Sequence, residues 1–195
     1  MLYQDRLERL AILEDFARQG QLDLFYGDES QVSSEGYVPY GWQFPGEDVC
    51  VLAEKGYKIN CFGLISRQSA CHWATATQNI NAQFVMQELE KLSLTIHKET
   101  VVVLDCARIH TGNLIQQRLA CWQQRGLLIF FLPPYSPHLN LAETLWPVRR
   151  CGKLKREWLV PEDYLEKDGL FYAVNRCLAN VGQQLTIKYS PFNLN

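Results

Sequence analysis

Val101, Val102, Val103 and Leu104 follow one another without a polar break and lead straight into Asp105. A strand with one wet face alternates apolar and polar residues, whereas an unbroken apolar run suits a strand covered on both faces. A second run, LLIFFL from Leu127, is stopped by Pro133 and Pro134 and reads the same way. Strands of this kind need helices on either side of their sheet, and the sequence supplies them. Residues 81–94 carry Phe84, Val85, Leu89 and Leu92 at a helical period, and 113–125 form a second helix closed by Gly126 in the C′ position. Residues 4–19 read as a short helix with Leu7, Leu10, Leu13 and Phe16 on one face and charges opposite.

The remaining extended segments come early. LDLFYGDES is a strand whose C-terminal end presents Asp28, and KINCFGLIS and ACHWATAT are the two later strands of a meander. Between them, residues 33–54 are rich in Gly, Pro and aromatics, which suggests turns around short extended pieces. A last long helix starts near Asn140 and carries Glu143 in its first turn or two. The order is three strands, helix, strand, helix, strand, helix. That predicts an α/β chain with a five-stranded mixed sheet flanked by helices, the order of the ribonuclease H-like fold.

The 195 residues suffice for one well-packed domain, with 47% hydrophobic and 21% charged residues. No stretch has the unbroken apolar length of a membrane-spanning helix, and the first residues carry charges throughout, unlike a secretory or transit peptide. The expectation is a cytoplasmic protein. Seven cysteines show no C-x-x-C pair, and the four histidines have no ligand-like spacing with them, so neither a zinc site nor a disulfide framework is expected. The net charge of −2 does not advertise a nucleic-acid binder, but the positives are uneven: Arg149, Arg150, Lys153, Lys155 and Arg156 crowd into one short segment.

Asp28, Asp105 and Glu143 each fall where chemistry is commonly mounted, at strand ends and at a strand–turn–helix junction. In an open α/β sheet the C-terminal ends of adjacent strands form the crevice for ligands. Three carboxylates gathered there would raise one another's pKa values unless a cation were present. Magnesium, a hard ion content with one or two carboxylates plus phosphate and water oxygens, resolves that conflict. A single Asp at a strand end is more often a turn former, so pattern alone leaves both readings open. Glu29 rivals Asp28, but alternation lets only one of them face the crevice with Asp105.

FYGDES, VVVLDCARIHTG and LPPYSPHLNLAETLW, in this order, resemble the signature blocks of the mariner-related transposases of bacterial insertion sequences, which belong to the DDE superfamily of endonucleases. GYVPYGWQFPGE, KINCFGLISR and LKREWL are similar to one branch of them, so the likeness runs from about Leu24 to the C-terminus. The resemblance implies a ribonuclease H-like catalytic domain over 24–195, with Asp28, Asp105 and Glu143 as the catalytic and metal-holding triad. It implies two Mg²⁺ ions (Mn²⁺ substituting), hydrolysis at transposon ends and strand transfer into target DNA. The implied partner is double-stranded DNA, engaged by a homodimer. Residues 1–23 then read as a helical remnant of the linker to a helix-turn-helix region, which a separate protein would supply, and the place of work is the nucleoid.

Arg108 and His110, just beyond Asp105, either touch phosphate or hold the loop. The 149–156 cluster, just after Glu143, is expected to track a DNA backbone. Cys106 replaces the Asn common after the second Asp and should point away from the metals, and His138 reads as a loop residue. Trp42, Trp73 and Trp122 are expected in the core, with Trp146 packing the Glu143 helix. Two other readings remain: an inactive, repurposed DNA-binding remnant of such an enzyme, and a different nuclease on the same fold.

Overall fold

In the computed structural model, residues 3–34, 56–145, 154 and 158–189 are described. Five strands form one sheet: β1 (Asp23–Ser33), β2 (Lys58–Ile65), β3 (Cys71–Ala76), β4 (Thr100–Leu104) and β5 (Leu127–Phe131). Their order is β3-β2-β1-β4-β5. β1, β2 and β3 form an antiparallel meander, while β4 runs parallel to β1 and β5 parallel to β4. This is the mixed ribonuclease H-like sheet that the order of elements predicts.

Every residue of β4 is buried, as its unbroken apolar run requires of a strand with a neighbour on each side. β5 was expected to be equally enclosed, but it is the edge strand, and beyond Leu127 its side chains are only partly buried.

The sheet separates two apolar layers. Leu24, Tyr26 and Val32 of β1 join Val101 and Val103 of β4 on one face. There they meet α1 (Tyr3–Arg18) through Leu10 and α6 (Lys167–Asn180) through Leu170, Ala173, Val174, Cys177 and Leu178. Phe25, Val102 and Leu104 point to the opposite face, against α2 (Ala82–Thr95) and three short helices, α3 (Arg108–Thr111), α4 (Asn113–Gln116) and α5 (Leu119–Gln124). Residues 113–125, expected as one helix, are thus broken between α4 and α5. Gly126 closes α5 with a positive φ of 88°, the conformation a C′ glycine supplies. Glu90 of α2 ties this layer together, accepting from Arg118, from the buried Trp122 indole at 2.8 Å and from Arg125 at 2.7 Å.

Two expectations about α1 change. Phe16 is 40% exposed, while Glu14, placed with the charges, is buried. Its carboxylate accepts from the Tyr26 hydroxyl and, at 2.6 Å, from Arg67 Nε, so a charge-assisted pair offsets its desolvation. Arg6 Nη1 donates to the carbonyls of Phe131 and Leu132 at 2.8 and 2.9 Å, fastening α1 to the C-terminal end of β5.

Among the described residues, no helix is long and apolar enough to cross a membrane. Trp122 is buried in the α2 layer, and Trp73 packs from a half-buried position against the α1–α6 layer on the other face. Trp42, Trp146 and the 33–54 turns fall outside the described residues, except for the last two residues of the first strand region, Ser33 and Ser34.

Candidate active site

Alternation along β1 decides between its two acids. Leu24, Tyr26 and Val32 face the α1–α6 layer, so Asp28 faces it too, and Glu29 faces α2 and α3. Asp28 is not at the end of its strand, as was expected. It lies mid-strand, paired through β2 to Gly63, two residues beyond Tyr26, where the ladder to β4 ends at Val103. β4 stops at Leu104, and Asp105 follows it directly, its Oδ1 meeting Ala107 N and His110 Nδ1.

Glu143 arrives differently from the expected long helix. A 3-10 turn over Pro137–Leu139 is followed by a second over Leu141–Thr144, and Glu143 sits in the latter. Asn140 separates the two. Its side-chain oxygen accepts from Ala142 N at 3.1 Å, and its Nδ2 donates to Gly27 O at 2.9 Å. Ala142 and Leu145 are buried in the α1–α6 layer, which holds Glu143 on the side of the sheet that Asp28 faces. Leu154 N returns a hydrogen bond to Leu145 O, closing this segment.

The three carboxylates act on one another. Burial, and then the charges of Glu143, Glu29 and Asp105, push the Asp28 carboxyl up to about 8. Burial and the charge of Asp105 raise Glu143 as well. Asp105 goes the other way: the hydrogen bond from His110 holds its carboxyl below the usual range, with help from Ala107 N. One acid is therefore poised near neutral pH while its neighbour stays ionised, the divergence that environments at functional sites produce. Among the described residues, no three His, Cys, Asp or Glu side chains stand close enough to hold one metal ion together.

His110 was named with Arg108 as a possible phosphate contact, but the two are placed differently. Arg108 is exposed on α3. His110 is wholly buried, with Nδ1 2.6 Å from Asp105 Oδ1 and Nε2 2.6 Å from Glu29 Oε1. No edge of the imidazole is left for phosphate, and its placement fits the loop-holding role. Burial pulls its pKa down, yet the two carboxylates outweigh burial and push it up to about 9. Glu29, set aside as Asp28's rival, thus reaches the site from the opposite face.

Cys106 turns away from the acids and donates its thiol hydrogen to Leu132 O at 3.0 Å. His138 is exposed, its Nε2 3.2 Å from the Tyr3 hydroxyl. Tyr135, which the sequence reading passed over, is fully exposed at the tip of the loop before Glu143 and has a positive φ of 57°. Arg149, Arg150, Lys153, Lys155 and Arg156 lie outside the described residues.

The family model described as DDE superfamily endonuclease matches residues 23–166, a span that holds all three acids. The chain belongs to that family. No curated protein sequence matches this one. Among solved structures, a Mos1 transposase paired-end complex with the left transposon end is similar at 18% identity and a TM-score of 0.53, covering 93% of this chain and 61% of that one. A mariner Mos1 paired end complex with Mg is similar at 16% and 0.51, covering 93% and 62%. The Mos1 strand transfer complex is similar at 17% and 0.50, covering 94% and 62%. At these identities the likeness is one of fold, and the chain spans less than two-thirds of the length of the transposases it matches.

Proposed function

We propose that this DDE endonuclease is the catalytic domain of a DNA transposase, which cleaves DNA at transposon ends and joins it to target DNA. The supporting observation is the convergence of Asp28, Asp105 and Glu143 at one end of the sheet, with Asp28 pushed up to about 8 by burial and by its acidic neighbours. A carboxyl in that setting gives up its proton to solvent most readily when a cation takes the proton's place.

The donor set fits a divalent ion of the magnesium kind. All its ligand atoms are oxygens, and pairs of carboxylates leave the remaining positions to phosphate and water, as Mg²⁺ prefers. Asp28 with Asp105 would hold one ion, and Glu143 with one of the aspartates a second. Two such ions, when bound, supply Lewis-acid activation of the attacking oxygen and stabilise charge on the leaving one. The sheet carries Asp28, Asp105 follows directly on β4, the loop tied down by Asn140 brings Glu143 to them, and Arg108 is exposed for contact with phosphate. Arg149, Arg150, Lys153, Lys155 and Arg156 would follow the backbone of double-stranded DNA as it leaves the site. The similar structures are paired-end and strand transfer complexes, which supports a working unit of two copies on DNA. The place of work would be nucleoid DNA in the cytoplasm.

The test is incubation of the purified protein with supercoiled plasmid in Mg²⁺, Mn²⁺ or EDTA, beside Glu143→Gln. Metal-dependent nicking that disappears in the variant is expected. Nicking equal in both proteins, or none in the wild type with either metal, rejects the reading.

A further inference from the structure

The hydrogen bonds of His110 carry an inference about residues outside the triad. The imidazole lies beneath the site with no exposed surface, bridging Glu29 of β1 and Asp105 just past the end of β4. One nitrogen meets Asp105 Oδ1 and the other Glu29 Oε1, each at 2.6 Å. Ala107 N donates to the same Asp105 oxygen at 2.9 Å. Oδ1 is thereby engaged twice from within the protein, while no described residue donates to Oδ2. The Asp105 side chain is 51% exposed although His110 beside it is at 1%, so the carboxylate has one oxygen tied inward and the other toward the open side.

We infer that His110 and Glu29 form a positioning pair that fixes the Asp105 carboxylate in the orientation from which it binds the divalent ion. The inference rests on the metal-holding role proposed above for Asp105. Asp105 needs such help because it lies past the last residue of β4, where no strand ladder fixes its rotamer. Glu29 can give it because β1 continues beyond β4, anchored by β2, and its side chain reaches under α3 to the imidazole. Glu29 acts only through His110: it holds the ring so that Nδ1 points at Asp105. Partners that orient a metal-binding group from behind typically change metal affinity when removed.

Mn²⁺ binding, read from the electron paramagnetic resonance signal of the free ion, tests this without any assay of activity. His110→Ala is expected to weaken Mn²⁺ binding about 10- to 100-fold, with helix content and melting followed by circular dichroism. His110→Asn, which returns an N–H near the place of Nδ1, should recover much of that loss. Glu29→Ala should weaken binding alone but add nothing in the His110→Ala background, because a residue that acts through another cannot be lost twice. Asp105→Asn separates the two levels of the reading. If it binds Mn²⁺ as the wild type does, the metal-holding role of Asp105 fails and this inference goes with it. If Asp105→Asn loses binding while His110→Ala keeps it, only the positioning pair is overturned. Losses that multiply in the double variant would make Glu29 a direct ligand and overturn the pair as well. Should His110→Ala not fold, His110→Asn and Glu29→Ala decide: unaltered binding in Glu29→Ala overturns the inference, and weakened binding there with retention in His110→Asn supports it.

Discussion

The side chain of Asn140 donates to the main-chain carbonyl of Gly27, 2.9 Å away. One residue precedes Asp28 and the other precedes the turn that carries Glu143, so this bond links the two acids through their backbones. Asn140 is buried, and it also caps the turn by accepting from Ala142 N. Asn140→Ala removes both bonds and leaves the Gly27 carbonyl unsatisfied, a loss of about 1–3 kcal/mol that urea denaturation would read. Asn140→Asp keeps the capping oxygen but cannot donate to Gly27. We expect plasmid nicking to fall as far in Asn140→Asp as in Asn140→Ala; retention in the Asp variant would assign the role to the cap instead.

Gly27 itself has no room for a side chain. A Cβ there would lie 2.6 Å from a Leu104 methyl and 2.8 Å from a Leu64 methyl, both deep in the α2 layer. Gly27→Ala should cost about 1–3 kcal/mol through overpacking, seen as a lower urea midpoint with an unchanged slope. Wild-type stability in this variant would mean that the two leucines move aside freely.

Acidity at the site predicts how stability follows pH. With Asp28 pushed up to about 8, the unfolded chain ionises this group first, so its contribution is full below an ordinary carboxyl pKa and is lost as pH rises toward 8. His110, pushed up to about 9, adds a loss between its ordinary pKa and 9. In EDTA, melting temperature should therefore fall from pH 6 to pH 9, although Asp105, held low, stays ionised throughout. Asp28→Asn should flatten part of that slope, and Mg²⁺ should offset it in the wild type alone. A flat wild-type profile in EDTA would contradict the raised pKa values of Asp28 and His110.

Tyr135 spends its left-handed backbone on a ring that touches nothing, being fully exposed. Non-glycine residues held in this region tend to cluster at functional sites. Tyr135→Gly removes the strain and adds freedom to the unfolded chain, effects that offset each other to within about 1 kcal/mol. Melting temperature should barely change while affinity for a fluorescent duplex with an unpaired overhang falls, since exposed aromatic rings serve as stacking platforms for unpaired bases. Unchanged anisotropy titrations would leave the tyrosine without a role in DNA contact.

Much of the framework was legible because burial writes itself into apolar pattern. The run Val101–Leu104 announced a central strand, and the acid at its end followed at once. Edge status is not written that way: β5 is as apolar as β4, yet it has a neighbour on one side only. The stretch from Asn140 misled because Asn140 caps a 3-10 turn over Leu141–Thr144 where the first turns of a helix were expected; residues 146–153 of that expected helix lie outside the described residues. Helix α6 was legible and overlooked, since Leu170, Ala173, Val174, Cys177 and Leu178 keep a helical period. Glu29 could not be placed from pattern. Alternation correctly put it on the far face from Asp28, but only the position of His110 shows that a side chain there can still reach Asp105.

β1 exchanges one neighbour for the other. From Asp23 to Phe25 it pairs with β4 alone, Tyr26 is paired on both sides, and from Gly27 onward β2 alone accompanies it. Asp28 thus stands on a ledge, braced from one flank and open on the other. A carboxylate mounted so need not be immobilised when DNA and metal arrive, because folding has already done that work, and the approach stays clear for an incoming phosphate.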